Sequence, residues 1–150
     1  MTVRTQKRVM IIGAGALLLA GVTASQLPLI SAVVAAETFS DLRTVVTERA
    51  PFFFTPGTIG KAIKLAELKG KFQMDAVSPA LAALTITSPV LLIHGAVDTA
   101  TPPDHSRRVF AALTGPKRLI LVPGAGHNKS LQGNIWDEVD HWLDSVLTGG

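Results

Sequence analysis

Two loops of this 150-residue chain carry the residues best suited to chemistry. Residues 88–93 are mostly apolar and open into His94-Gly95-Ala96-Val97-Asp98. Residues 119–122 are apolar and open into Pro123-Gly124-Ala125-Gly126-His127-Asn128. A parallel α/β sheet places its chemistry on such loops, at the carboxyl ends of its strands. An aspartate and a histidine on neighbouring strand ends are two members of an acid–base–nucleophile triad. The histidine takes the nucleophile's proton, and the acid orients the ring and stabilises its charged form. The stretch between Asp98 and His127 has room for one helix and one strand. His94 reads as a structural residue of its loop, and His105 and His141 as surface positions on helices. The four histidines have no acidic partner at metal-ligand spacing, so no metal site is expected.

The elements that must hold these loops follow from apolar patterning. Residues 8–12 and 30–36 are continuous apolar runs, the signature of strands buried on both faces. Further strands fall near 89–94 and 118–122. Between them lie helices near 41–49, 58–69 (ended by Gly70), 79–84 and 101–114, and one from Asn134 onward. Thr101 is the expected cap of the fourth. Ile135, Val139, Trp142, Leu143 and Val146 recur at helical spacing on the last, and both tryptophans read as core. Phe52, Phe53 and Phe54 are expected to plug the gap between a helix layer and the sheet, the alternative being that they line a substrate pocket. The fold class is therefore α/β, a mostly parallel four-stranded sheet flanked by helices in one domain, residues 1–150.

Composition narrows the function. The chain is 47% hydrophobic and 17% charged, which excludes a disordered chain. It has no cysteine, which removes disulfides, thiolate metal sites and cysteine nucleophiles. The net charge is +3. Lys61, Lys64, Lys69 and Lys71 read as a solvated helix face. No aromatic residues alternate with them, so no nucleic-acid partner is expected.

The first residues read in two ways. Arg4, Lys7 and Arg8 before an apolar run, with small residues at 22–24, fit a secretory signal over residues 1–24. The same residues also read as strand, tight turn (Gly13-Ala14-Gly15) and helix (16–26), the first half of a βαβ unit. Gly13, Gly15, Gly21 and Pro28 interrupt the run, so a membrane-spanning helix and a membrane partner are not expected.

The arrangement resembles the second half of an alpha/beta-hydrolase, close to its serine-peptidase-like and esterase-like members. That family carries its nucleophile in G-x-S-x-G between a strand and a helix, then the acid, then the histidine. Laid on this chain without gaps, the pattern falls on Gly13-Ala14-Gly15-Ala16-Leu17. The first glycine matches, Gly15 occupies the serine position, and Leu17 replaces the last glycine. The next strand and its loop, residues 30–42, agree in register. The resemblance implies Asp98 as acid, His127 as base and a small ester, thioester or peptide as substrate, with no cofactor. It implies a retained N-terminus and a cytoplasmic chain, with the exported or anchored protein as the alternative. Ser25 lies at the far end of the first helix and cannot replace the missing serine. The expectation is a truncated or degenerate member without activity, a piece whose start lies upstream, or a non-catalytic binding module. Its first strand, left as a sheet edge, invites pairing with a second copy.

Overall fold

A computed structural model describes residues 9–12 and 30–148. The tight turn at Gly13–Gly15, the first helix with Ser25, the signal-like segment and the elbow position Gly15 lie outside the described residues. Four strands form one parallel sheet in the order β1-β2-β3-β4. They are β1 (Val9–Ile12), β2 (Ala32–Ala36), β3 (Val90–Gly95) and β4 (Lys117–Val122). The register sets Val34 beside Ile11 and Leu91, and Ile93 beside Ala36 and Ile120. β2 and β3 are buried along their whole length, as their unbroken apolar runs require.

Alternate residues feed two cores. Val33, Ala35, Val90 and Leu92 pack with Ala83, Ile86, Val109 and Leu113 on one face. Ala32, Val34, Ala36, Leu91 and Ile93 pack with Ile135, Val139 and Trp142 on the other. The helices are α1 (Leu42–Glu48), α2 (Pro56–Gly70), α3 (Pro79–Ala83), α4 (Asp104–Ala112) and α5 (Ile135–Thr148), with a 3₁₀ turn at Met74–Ala76. α3 and α4 supply the first core, and α5 the second. Side chains cap the first three helices in order. Asp41 accepts from the Thr44 N–H, Thr55 from Thr58 and Ser78 from Leu81. Pro56 and Pro79 then take first-turn positions, where a missing N–H costs nothing.

Several expectations need correction. Gly70 belongs to α2, and Lys71 adopts the left-handed capping conformation beyond it (φ 52°). Thr101 does not cap α4. That helix begins after Pro103 with no side-chain cap, because Thr101 is held back by the loop below it. Trp142 is core, but Trp136 is 41% exposed, since it falls on the outward side of α5. His105 is fully buried, not a surface residue: the Ser40 N–H donates to its Nδ1 over 3.1 Å. The phenylalanine cluster does not fill a gap between helix layer and sheet: only Phe54 turns toward an apolar recess, beside Val46 and Ile59. Phe52 is 99% exposed, Phe53 67% and Phe54 43%, stacked edge to face at the tip of a loop. Among the described residues no helix is long and apolar enough to cross a membrane.

The two-sided sheet makes β3 the most sensitive element. Leu92→Ala, at a fully buried position, is expected to cost about 2–5 kcal/mol. Leu68→Ala, on the outer side of α2, should stay within about 0.5 kcal/mol. Urea unfolding followed by circular dichroism checks both.

Candidate active site

Three strand ends meet at one edge of the sheet, and each contributes one side chain. β2 ends in Glu37, β3 runs into Asp98, and β4 runs into His127. Backbone bonds first bring the loops together. The Glu37 N–H donates to the Ile93 carbonyl over 2.8 Å, the Ala96 N–H to Val122 over 2.9 Å, and the Val97 N–H to Ala125 over 3.1 Å. The approach is close enough to demand glycine at 95. A Cβ there would collide with the carbonyl oxygens of Ala125 and Gly126.

Asp98 divides its two oxygens. Oδ1 accepts the N–H groups of Ala100 and Thr101 over 2.8 and 2.9 Å, which shapes the turn. Oδ2 lies 2.9 Å from His127 Nδ1 and 3.5 Å from His94 Nε2. Burial on its own would raise the Asp98 pKa. The Thr101 N–H, His127 and the Ala100 N–H together outweigh it and hold the carboxyl below its ordinary value of 3.8. An ionised carboxylate only accepts, so His127 carries its proton on Nδ1 and presents Nε2 as a base. The His127 side chain is 34% exposed while that of Asp98 is sealed. A general base needs this combination: an anchored nitrogen inside and an accessible face outside.

His94 is fully buried and serves the loop. Its Nε2 is 2.7 Å from the Thr101 carbonyl, which can only accept, so that nitrogen donates. Its Nδ1 then accepts from Ser106 Oγ at 2.6 Å. Ser40 Oγ and His105 Nδ1, 2.9 Å apart, form a second buried serine–histidine pair, with His105 Nε2 2.9 Å from Glu48. Burial, reinforced by Arg108 and opposed by Glu48, pushes the His105 pKa down and keeps the ring neutral. Both serines are sealed in the interior, so neither pair can reach a substrate. His141 is exposed on α5, as expected.

Glu37 is the residue that sequence reasoning missed. It is buried, and its φ of 52° is left-handed, a conformation rare for a residue with a long side chain. The turn directs its carboxylate into the histidine loop. Oε2 accepts the Asn128 N–H over 2.6 Å, and Oε1 accepts the Ser130 N–H over 3.0 Å. Asn128 also has positive φ (58°), so the chain bends sharply beside His127. The one available signal was an acid following five apolar residues at the end of a buried strand. Glu37, Asp98 and His127 bring ligand atoms within 4.8 Å of one another, a spacing that suits a cation. Both Glu37 oxygens, both Asp98 oxygens and His127 Nδ1 are already engaged, however. Glu37 and Asp98 thus serve as hydrogen-bond acceptors that fix the loop and the ring.

Glu37→Gln leaves one loop N–H facing an amide NH₂. It is expected to cost about 1–3 kcal/mol and to broaden or move the His127 imidazole NMR signals. Unchanged stability and unchanged signals would remove Glu37 from the loop's support. Asp98 gives a pH effect of fixed sign. Its native pKa is depressed, so its stabilisation is present above 3.8 and is lost as pH falls through the lower native value. Asp98→Asn should flatten that acid limb of the stability curve.

Comparison with known proteins places this geometry. A profile of the prolyl oligopeptidase family matches residues 3–149. The Escherichia coli K12 protein YfhR, itself uncharacterized, is 30% identical over 123 residues, 79% of this chain and 37% of that protein. Human alpha/beta hydrolase domain-containing protein 17B is 32% identical over 108 residues, 71% of this chain and 38% of that one. The chain thus spans well under half the length of these curated relatives. Among solved structures, acylaminoacyl peptidase from Pyrococcus horikoshii superposes with a TM-score of 0.71 at 17% identity, over 97% of this chain and 25% of that one. A monoacylglycerol lipase from Paleococcus ferrophilus gives 0.59 at 24% identity, over 93% and 68%. At such identities the likeness is one of fold. With the family profile covering nearly every residue, the chain belongs to the prolyl oligopeptidase family, within the alpha/beta-hydrolase superfamily.

Proposed function

We propose that this chain is an acyl-hydrolase scaffold that keeps the acid and the base, Asp98 and His127, and lacks the nucleophile. The ancestral reaction is acyl transfer to water from an ester, thioester or peptide. The observation that carries this reading is the 2.9 Å contact between His127 Nδ1 and the sealed Asp98 carboxylate, with the imidazole left accessible. The names of the structural neighbours, a peptidase and a lipase among them, agree with acyl chemistry. In the register of the family pattern the serine position is Gly15, which has no atom able to attack a carbonyl. Loss of a triad nucleophile costs about 10⁶ in turnover. As this chain stands, the site is without acyl-transfer activity; the alternative is a non-catalytic binding module on the same scaffold.

p-Nitrophenyl ester turnover and fluorophosphonate labelling test the proposal. Wild type is expected to show neither above background, and stoichiometric labelling of any serine would overturn it. Gly15→Ser should gain slow labelling that disappears when His127→Ala is added, with turnover well short of a complete hydrolase. If Gly15→Ser behaves like wild type, the elbow register is wrong. Saturable binding of an uncleaved ester or peptide by wild type would identify the chain as a binding module.

A further inference from the structure

α2 is apolar on two opposite sides. Its inner side, Ile59, Ala62, Ile63 and Ala66, lines an apolar recess of about 380 Å³ together with Val46 and Phe54. Ile63 is the one residue of α2 that is buried. On the outer side Leu65 and Leu68 are 51% and 76% exposed. At 100° per residue, Lys61, Lys64 and Lys69 share that outer side with the two leucines. Just before the helix stand the three exposed phenylalanines. A solvated helix face needs the lysines but has no use for Leu65 and Leu68 among them, nor the loop before it for the exposed Phe52 and Phe53.

Charge selects among occupants. Residues 49–72 hold five cations (Arg49, Lys61, Lys64, Lys69, Lys71) and one acid, Glu67. Glu67 is turned away from the lysines: it accepts the Met74 N–H over 2.9 Å and faces Arg43 at 3.7 Å. This segment alone carries +4, more than the +3 of the whole chain. Exposed bulky apolar residues in a segment of excess lysine match the interface of an anionic bilayer. There, aromatic rings enter the headgroup level and lysine stems lie along apolar surface with their charges in water.

We propose that Phe52, Phe53 and the outer side of α2 form a peripheral docking surface for anionic lipid membranes. The phenylalanines insert, and the lysines hold the headgroups. This sets aside the sequence-based expectation of no membrane partner, because the expected packing of the phenylalanines under a helix layer does not occur. The surface acts independently of the Asp98–His127 site, so failure of one reading leaves the other intact.

The test is co-sedimentation of the full chain with phosphatidylcholine vesicles, with and without phosphatidylglycerol. Binding is expected to the anionic vesicles, to weaken with added salt and to be slight on neutral ones. Phe52→Asp with Phe53→Asp should abolish it. Lys61→Gln with Lys64→Gln should weaken it roughly 30-fold, the value for two lysines at about 1 kcal/mol each. All four positions are exposed, so thermal unfolding should be unchanged in both variants. Phe52→Trp adds a direct readout, a blue shift of its fluorescence on anionic vesicles. Absence of binding to any vesicle, equal binding by the Phe52/Phe53 variant, or no blue shift would overturn the proposal. So would protection of this surface by an acidic protein that vesicles do not displace.

Discussion

The histidine loop hangs from one carboxylate. Glu37 stands at the end of a strand buried on both faces, and its two oxygens receive two consecutive-but-one backbone N–H groups of the loop after β4. Without that acceptor the Ser130 donor would be buried and unpaired, which costs more than most single contacts contribute. The left-handed backbone at Glu37 and Asn128 is local strain that the bonded loop offsets. Everything chemically interesting lies downstream of this clamp. It sets where His127 sits, and so whether Asp98 Oδ2 can meet the ring. The core below makes the clamp rigid, since β2 and β3 have no exposed residue through which to relax.

The sheet was legible in the sequence because its strands are continuous apolar runs, a pattern that requires burial on both faces. Among the described residues, strands and helices fall within a few residues of expectation, and Asp98 and His127 meet as expected. The misses share one physical cause: patterns along the chain do not report partners from elsewhere in it. Thr101 has the composition of a cap, but Asp98 claims its N–H and His94 its carbonyl. His105 lies on a polar helix, yet its neighbours Ser40 and Glu48 arrive from far earlier in the chain. Glu37 looked like the first residue of a loop. Its role appears only when β4's loop is laid beside it. The phenylalanines erred in the other direction, since apolar type alone implied burial where the fold supplies no cover.

α2 shows how little packing a helix needs when its ends are well made. A threonine cap, a first-turn proline and the left-handed Lys71 terminate it, while one buried isoleucine anchors it. Among the described residues its lysines have no carboxylate partner, and Glu67 is committed to Met74 and Arg43. A helix so built is free to spend its outer side on something other than the core.

Asp98 serves two tasks with two atoms. Oδ1 is a structural acceptor for the turn, and Oδ2 faces the imidazole. The task of Oδ1 continues whether or not any substrate is ever turned over. A lineage that lost its serine would keep this aspartate for the sake of the turn, and Glu37 would keep the histidine loop in place beside it. The acid–histidine contact therefore records how the loops are tied: the turn holds Asp98 and the β2 clamp holds the histidine loop, independently of any chemistry at the site.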